Sequence, residues 1–311
     1  MMRRNLLDAP SRQLSITGLE QLGFGGTATT FALSDTSLLK AYPKSYPAEN
    51  VVREWRRAVG AYGLAVPTAE PLELVSLEED DFGLGIVFER LSGMTLAQEL
   101  MTGQTELESV AGRLGRFMRE LHSIELRHHD FEDQREVFAH YALRLADKDF
   151  AVLERKEAKQ LSKLYMTLPQ TMSFLHGDLH AANVIDHTNQ LTLIDMEGVG
   201  FGHPLLDWAG TWQALELIPS LDPDCCEKYV SLDATTARNL MKPLMQAYFG
   251  TSDEKRQSER LRAMEIFGIA KYACMIVRDP NPWIDRASVA QMLREQVLDH
   301  SDEFEYLISI F

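Results

Sequence analysis

Cysteine is scarce in this chain of 311 residues, and the three that occur are Cys225, Cys226 and Cys274. An odd number with two adjacent in sequence fits neither a disulfide framework nor a zinc site, and it favours a reducing compartment. No uninterrupted apolar run approaches the roughly 18 residues of a transmembrane helix. The N-terminal sequence MMRRNLLDAP contains no apolar core of signal-peptide length. We therefore expect a cytoplasmic protein without a membrane partner.

Two common phosphate-binding motifs are also absent. No Gly-x-x-x-x-Gly-Lys-Ser/Thr occurs, and no Gly-x-Gly-x-x-Gly opens a helix. The sequence therefore disfavours a P-loop or dinucleotide-binding enzyme, in which GFGGT would be the phosphate loop.

Positive charge is in deficit, because 31 Lys and Arg face 46 Asp and Glu, which gives a formal net charge of −15. Residues 93–311 contain 34 acidic and 22 basic side chains, so most of the excess lies in the C-terminal part. Such a surface repels nucleic acid and attracts cationic molecules. An acidic face kept for solubility is the simpler alternative.

The N-terminal third reads as strands and one helix. A glycine-rich turn within residues 21–40 separates apolar and β-branched stretches, which predicts a hairpin followed by another strand. Strand-like runs also cover residues 72–75 and 84–88. Between them, Pro47 can occupy the first turn of a helix, its apolar residues recur at helical spacing, and Gly63 can end it.

After residue 93 the pattern becomes mainly helical. Thr105 and Glu108 have the spacing of a capping box, and apolar positions at helical spacing follow them. A short hairpin is predicted where residues 184–185 and 191–194 flank a polar turn. The sequence thus predicts an α+β protein with two lobes, one at residues 1–91 and a mainly helical one at residues 92–311.

The segment FLHGDLHAANVIDHTNQLTLIDMEG, residues 174–198, carries the strongest chemical signal. Phosphoryl transfer needs a carboxylate that orients the attacking hydroxyl and oxygen ligands for Mg²⁺. Asp178 suits the first role, and Asn183 with Asp195 suits the second. Any one of these residues taken alone would more simply cap a turn. Their combined spacing with His176, beside apolar strands, favours a site.

This segment resembles the catalytic and metal-binding motifs of the aminoglycoside phosphotransferase and choline kinase family, which has a protein-kinase-like fold. The order of motifs matches from about Leu19 to Trp212. The resemblance implies two lobes. Residues 1–91 would be a nucleotide-binding N-lobe with an antiparallel sheet and one helix, and residues 92–311 a mainly helical C-lobe that is catalytic and binds the substrate. It also implies ATP and Mg²⁺ as cofactors and a small-molecule hydroxyl as acceptor.

The resemblance also assigns roles. Asp178 would be the catalytic aspartate, His176 would buttress the catalytic loop, and Asn183 and Asp195 would bind Mg²⁺. Asp207, in the sequence LLDWA, would support the catalytic loop.

Residues for nucleotide binding are expected in the N-terminal lobe. Gly23, Gly25 and Gly26, followed by Thr27, would let a turn backbone approach phosphates, although a purely structural turn is an equal alternative. By resemblance to the family's hinge, Glu89 and Leu91 would contact adenine through their backbones.

Lys40 ends an apolar strand, where its amine can reach the nucleotide phosphates, and Glu54 on the next helix can pair with it. The alternatives are a surface lysine with an extended side chain and a solvated glutamate paired with a neighbouring arginine.

Only twelve positions separate Asp195 from Asp207, and no Ala-Pro-Glu follows, so the chain has little room for a protein-kinase activation segment. The sequence therefore predicts transfer of the ATP γ-phosphate to a hydroxyl of a small molecule, which is aminoglycoside-, choline- or amino-sugar-like and which the acidic charge favours as a cation. The alternative is a nucleotide-binding regulatory module of the same fold with weak or no turnover.

Overall fold

The computed structural model describes residues 9–24, 27–127, 131–188, 190–278 and 285–311. The strands of these ranges are β1 (Gln13–Leu14), β2 (Gln21–Phe24), β3 (Thr29–Ala32), β4 (Ser37–Pro43), β5 (Pro71–Leu77), β6 (Phe82–Glu89), β7 (Phe174–Leu175), β8 (Val184–His187), β9 (Gln190–Leu193) and β10 (Gly200–Phe201). The α-helices are α1 (Ala48–Gly63), α2 (Leu96–Met101), α3 (Leu107–His122), α4 (Gln134–Arg144), α5 (Arg155–Thr167), α6 (Leu205–Trp212), α7 (Ile218–Leu221), α8 (Pro223–Val230), α9 (Ala234–Phe249), α10 (Glu254–Arg278), α11 (Arg286–Gln296) and α12 (Phe304–Ser309). A π-helical segment, Gln213–Leu217, lies between α6 and α7.

The chain forms two compact units that interleave along the sequence. The first comprises residues 1–102 and 181–199, and the second comprises residues 103–180 and 200–311. The predicted lobes at residues 1–91 and 92–311 stay a prediction, because these units do not divide the chain at one position.

The first unit contains a six-stranded sheet with the order β1-β5-β6-β4-β3-β2. Its strands from β2 to β6 pair antiparallel, as the sequence predicts, whereas β1 pairs parallel with β5 at the edge. Strand β1 has only two residues, which are too few to show an alternation of apolar and polar side chains, so no sequence pattern predicts it. One face buries a core cluster of Phe31, Leu39, Ala41, Val75, Leu77 and Val87.

Helix α1 begins directly after Pro47, which agrees with the prediction of a proline at the start of the helix. Its amphipathic face buries Val51, Trp55 and Ala58, and it also buries Glu54. A charged side chain on a buried face requires a partner, so this face marks a polar contact within the first unit.

The second unit is mainly helical, as predicted, with α3 packed on α9, α4 on α5 and α6 on α10. The prediction of a capping box at Thr105 and Glu108 is wrong. Glu106 is the N-cap of α3, and its side chain makes no capping bond. The Thr-x-x-Glu spacing was one residue out of register with the actual start. A capping box that the sequence analysis missed joins Thr95 and Gln98 at the start of α2.

Within the described ranges, no helix combines the length and the apolar character that crossing a membrane requires. The cytoplasmic location inferred from the sequence stays a prediction.

Candidate functional site

Strand β4 and helix α1 bring Lys40 and Glu54 together in the first unit. Successive side chains of a strand point to opposite faces, so Lys40 and Tyr42 alternate with the core residues Leu39 and Ala41. Lys40 Nζ donates a hydrogen bond to Glu54 Oε1 at 2.7 Å, and Tyr42 Oη donates to Glu54 Oε2 at 2.6 Å. Both carboxylate oxygens of this buried glutamate are therefore bonded.

Lys40 also contacts Asp195, with 3.2 Å between Nζ and Oδ1. Burial alone would lower the pKa of Lys40, but Asp195 and Glu54 raise it well above its usual value, so the amine stays charged. Burial raises the pKa of Glu54, and the charge of Lys40 opposes that rise. The arrangement rules out the two alternatives for this pair, a surface lysine and a solvated glutamate.

The β8–β9 hairpin places Asn183 and Asp195 at its two ends. Val184 pairs with Leu193 in the antiparallel ladder, and the Ile194 N–H donates to the Asn183 carbonyl at 3.1 Å. Asp195 follows with φ +62°, a left-handed conformation that is uncommon for a residue with a side chain. Such conformations cost free energy and persist only where the surrounding structure holds them, and they are concentrated at functional sites.

The polar groups of the first unit suit a divalent cation. Carboxylate oxygens of Glu54, Asp195 and Glu197 all lie within 4.8 Å of one another. Oxygen ligands are those that Mg²⁺ prefers, and three carboxylates beside one ammonium group leave net negative charge. Tyr46 Oη donates to Glu197 Oε1 at 2.9 Å, which orients this third carboxylate. These oxygen donors therefore fit Mg²⁺.

The predicted glycine-rich turn is described only at its ends. Gly23 lies in β2 and Thr27 precedes β3, whereas Gly25 and Gly26 lie outside the described residues. A Cβ added at Gly23 would meet no atom within 4 Å, so packing in this conformation does not require glycine there.

Glu89 ends β6, and Leu91 follows it. The Glu89 N–H donates to the Glu70 carbonyl at 2.8 Å, so this group is already engaged. The predicted backbone contacts of Glu89 and Leu91 to adenine rest on their other backbone groups and stay a prediction.

The second unit contains His176 and Asp178, in a loop that side chains of α6 hold by its backbone. Asp207 accepts hydrogen bonds from the His176 N–H at 2.9 Å and from the Gly177 N–H at 2.6 Å. Thr211 donates to the Leu179 carbonyl at 2.7 Å. His176 is fully buried, and its buttressing role stays a prediction.

Asp178 differs from its neighbours because its side chain is 57% exposed. His180 Nε2 lies 3.6 Å from Asp178 Oδ2. Desolvation raises the pKa of Asp178, but His180 and Lys271 more than offset this effect, so the carboxyl pKa lies well below its usual range. Asp178 is therefore an accessible carboxylate at neutral pH.

The sequence analysis missed four residues that contact either Glu54 or the loop of residues 177–179. They are Tyr42, His180, Thr211 and Lys271. Two signals were available. Tyr42 shares the strand face of Lys40, two positions on, and Lys271 is a single charge in the apolar helical stretch GIAKYACMIV.

The chain belongs to the phosphotransferase enzyme family, whose sequence model matches residues 18–238. A search of curated protein sequences finds no significant match.

Solved structures share the fold. A choline/ethanolamine kinase family protein from Mesorhizobium loti is 18% identical with a TM-score of 0.55, over 94% of this chain and 91% of that one. The ADP-bound aminoglycoside phosphotransferase APH(2'')-Ib is also 18% identical with a TM-score of 0.55, over 92% of this chain and 94% of that one. A thermostable mutant of aminoglycoside phosphotransferase APH(4)-Ia, in complex with ADP and hygromycin B, is 14% identical with a TM-score of 0.57, over 94% and 93%. These likenesses confirm the predicted protein-kinase-like α+β fold.

Proposed function

We propose that this protein is a phosphotransferase that moves the γ-phosphate of ATP to a hydroxyl of a small molecule with the help of Mg²⁺. The observation that carries the proposal is the Lys40 ammonium group, held between Glu54 at 2.7 Å and Asp195 at 3.2 Å. A partly buried cation beside a carboxylate cluster suits a site for phosphates and a metal ion. Family membership supports the reaction class.

In this mechanism each residue has a binding or orienting role. Lys40 binds phosphate oxygens of the nucleotide, and Glu54 and Tyr42 hold Lys40 in place. Asn183 and Asp195 hold Mg²⁺, which supplies charge neutralisation for the phosphates when bound. Backbone groups near Gly23 and Thr27 approach the phosphates, and those of Glu89 and Leu91 contact adenine.

Asp178 accepts a hydrogen bond from the acceptor hydroxyl and orients it for attack. Its lowered pKa keeps it ionised at neutral pH, which suits an orienting hydrogen-bond acceptor. Alignment and charge neutralisation supply most of the catalysis in this reaction class, because the protein has little covalent work to do.

The acceptor is proposed only as a chemical class. The acidic excess in residues 93–311 favours cationic acceptors such as aminoglycosides, choline-like amines or amino sugars. Structural relatives include an aminoglycoside phosphotransferase in complex with hygromycin B and a choline/ethanolamine kinase family protein. The short segment between Asp195 and Asp207 argues against protein acceptors.

The test is a screen of aminoglycosides, amines, sugars and nucleosides with labelled ATP and Mg²⁺, in which Asp178→Ala is compared with the unchanged protein. We expect Asp178→Ala to lower turnover by roughly three orders of magnitude or more while ADP binding persists, because Asp178 orients the acceptor and does not hold the nucleotide. Near-normal turnover of this variant would refute the role of Asp178. ADP binding by the unchanged protein, without turnover of any acceptor, would instead support a regulatory module.

A further inference from the structure

Lys271 is a buried lysine in the last third of helix α10, with only 7% of its surface exposed. Its Nζ donates a hydrogen bond to the Gly177 carbonyl at 2.6 Å. A buried ammonium group is costly unless hydrogen bonds compensate for its lost hydration. The lysine thus places its charge against the backbone of the residue directly before Asp178, and the same charge lowers the pKa of Asp178.

Helix α6 leaves room for this contact at one position. A Cβ added at Gly210 would lie 2.5 Å from Lys271 Nζ and 3.7 Å from its Cε, and 3.5 Å from the Gly177 carbonyl oxygen. On another side, Nζ lies 5.7 Å from the centre of the Phe138 ring, within the range of a cation–π contact. The lysine therefore reaches the loop across the one point of this helix turn that has no side chain.

The contact completes the support of a single peptide group. Gly177 has φ +84°, a conformation that favours glycine, and its N–H donates to Asp207 at 2.6 Å. Lys271 binds the carbonyl of the same residue, which belongs to the peptide plane between Gly177 and Asp178. With both ends of Gly177 held, the direction in which the Asp178 side chain leaves the backbone is set.

We propose that Lys271 is a positioning residue for the phosphoryl-transfer reaction: it fixes the Gly177–Asp178 peptide and thereby aims the Asp178 carboxylate at the acceptor hydroxyl. The inference rests on the proposed function, because it takes Asp178 as the residue that orients the acceptor. A purely structural lysine would only join α10 to the loop at Gly177, and its loss would lower stability without changing catalysis by the folded protein.

Three variants separate these roles. Lys271→Met removes the ammonium group and keeps a long, helix-compatible side chain. Gly210→Ala keeps the lysine but occupies the space of its Nζ, and the flexible end of the lysine can move aside, so the fold is retained. Lys255→Met is the matched control, because Lys255 lies on the same helix with its side chain 83% exposed.

Hydrogen exchange tests the positioning role without any turnover. Peptides that cover residues 174–183 are followed by mass spectrometry in each variant. We expect faster exchange in this loop for Lys271→Met and Gly210→Ala, and no change for Lys255→Met, because only the first two lose the bond to the Gly177 carbonyl. Unchanged exchange in Lys271→Met would overturn the proposal.

The second readout is steady-state kinetics with ATP, Mg²⁺ and an acceptor from the screen. Where ATP hydrolysis is measured, water is the acceptor. We expect kcat per folded molecule to fall about 100-fold in Lys271→Met and in Gly210→Ala, which is the effect of misplacing the Asp178 carboxylate by about 1 Å. The KM for ATP and the affinity for ADP should not change. The double variant should be no slower than the slower single variant, because both changes break the same contact.

The two hypotheses fail in different ways. If the unchanged protein turns over ATP and Lys271→Met keeps its kcat, the positioning role is wrong and the proposed function stands. If the unchanged protein binds ADP without any turnover, the proposed reaction is wrong, and a catalytic positioning role for Lys271 is wrong with it. A loss of activity that only follows the loss of folded protein would likewise refute the positioning role.

Discussion

Removal of the Lys40 charge tests the electrostatics of the first unit. Lys40 lies 2.7 Å from Glu54 and 3.2 Å from Asp195, and the Glu54 side chain is only 1% exposed. At an effective dielectric constant of about 20, the contact with Glu54 contributes about 6 kcal/mol of attraction before desolvation is counted. In Lys40→Met the buried Glu54 stays beside Asp195 and loses the cation that opposes the rise of its pKa.

Breaking a buried ion pair by removing one partner costs about 3–5 kcal/mol, because the other charge stays buried without compensation. We therefore expect Lys40→Met to lose about this much free energy of unfolding. Asp195 contributes little to the loss, because its side chain is 41% exposed and water solvates it. At roughly 2 °C per kcal/mol, the melting temperature should fall by about 6–10 °C.

The double variant Lys40→Met/Glu54→Gln isolates the cause. Glutamine removes the buried charge and still accepts the hydrogen bond from Tyr42, so most of the lost stability should return. Lys44→Met is the control. Its side chain is 55% exposed with a 3.6 Å contact to Asp80, and its loss should change stability by less than about 1 kcal/mol.

Urea and thermal unfolding followed by circular dichroism measure these differences in the absence of nucleotide and metal. The reasoning is refuted if Lys40→Met is as stable as the Lys44→Met control. It is refuted equally if Glu54→Gln lowers the stability of Lys40→Met further, since the buried carboxylate would then not be the source of the loss.

Three further predictions concern other parts of the chain. Glu79 accepts hydrogen bonds from the Ser15 hydroxyl at 2.6 Å and from the Ile16 N–H at 2.7 Å, and these bonds lower its pKa to about 2. Its stabilising effect is therefore present above about pH 4.5 and is lost as the pH falls towards 2. Glu79→Gln should flatten the pH dependence of stability in that range, as measured by urea midpoints, and an unchanged slope would contradict this. Gly268→Ala should cost about 1–3 kcal/mol of unfolding free energy, because its Cβ would lie 2.3 Å from the buried Trp212 ring. Gly23→Ala should change the melting temperature by less than about 2 °C. It should weaken ADP binding several-fold, as measured by calorimetry, because the added Cβ would keep the backbone at residue 23 from approaching the phosphates.

The sheet and the main helices were predictable because their signals are local. Alternating and helical spacing of apolar residues identified β3, β4, β6, α1 and α3. The error at the start of α3 has the same origin, since a Thr-x-x-Glu spacing alone does not say whether the helix begins at its threonine. The parallel pairing of β1 with β5 joins residues about 60 positions apart, which no local pattern reports.

The candidate site was predictable where one motif contains the residues. The spacing of His176, Asp178, Asn183 and Asp195 can be read directly from the sequence, and the family resemblance predicts a role for each. Tyr42 and Lys271 were not recognised, because their importance lies in contacts with Glu54 and Gly177 that are distant in sequence.

By itself, the sequence determined the class of this protein: an acidic α+β chain with the motifs of a phosphotransferase, since chemistry and local periodicity are written in residue order. Only the tertiary structure decided which charges are buried and which meet. It placed Glu54 between Lys40 and Tyr42, and Lys271 against the Gly177 carbonyl. The physical reason is that a charge takes its energy from its surroundings, and those surroundings exist only once distant segments of the chain have packed together.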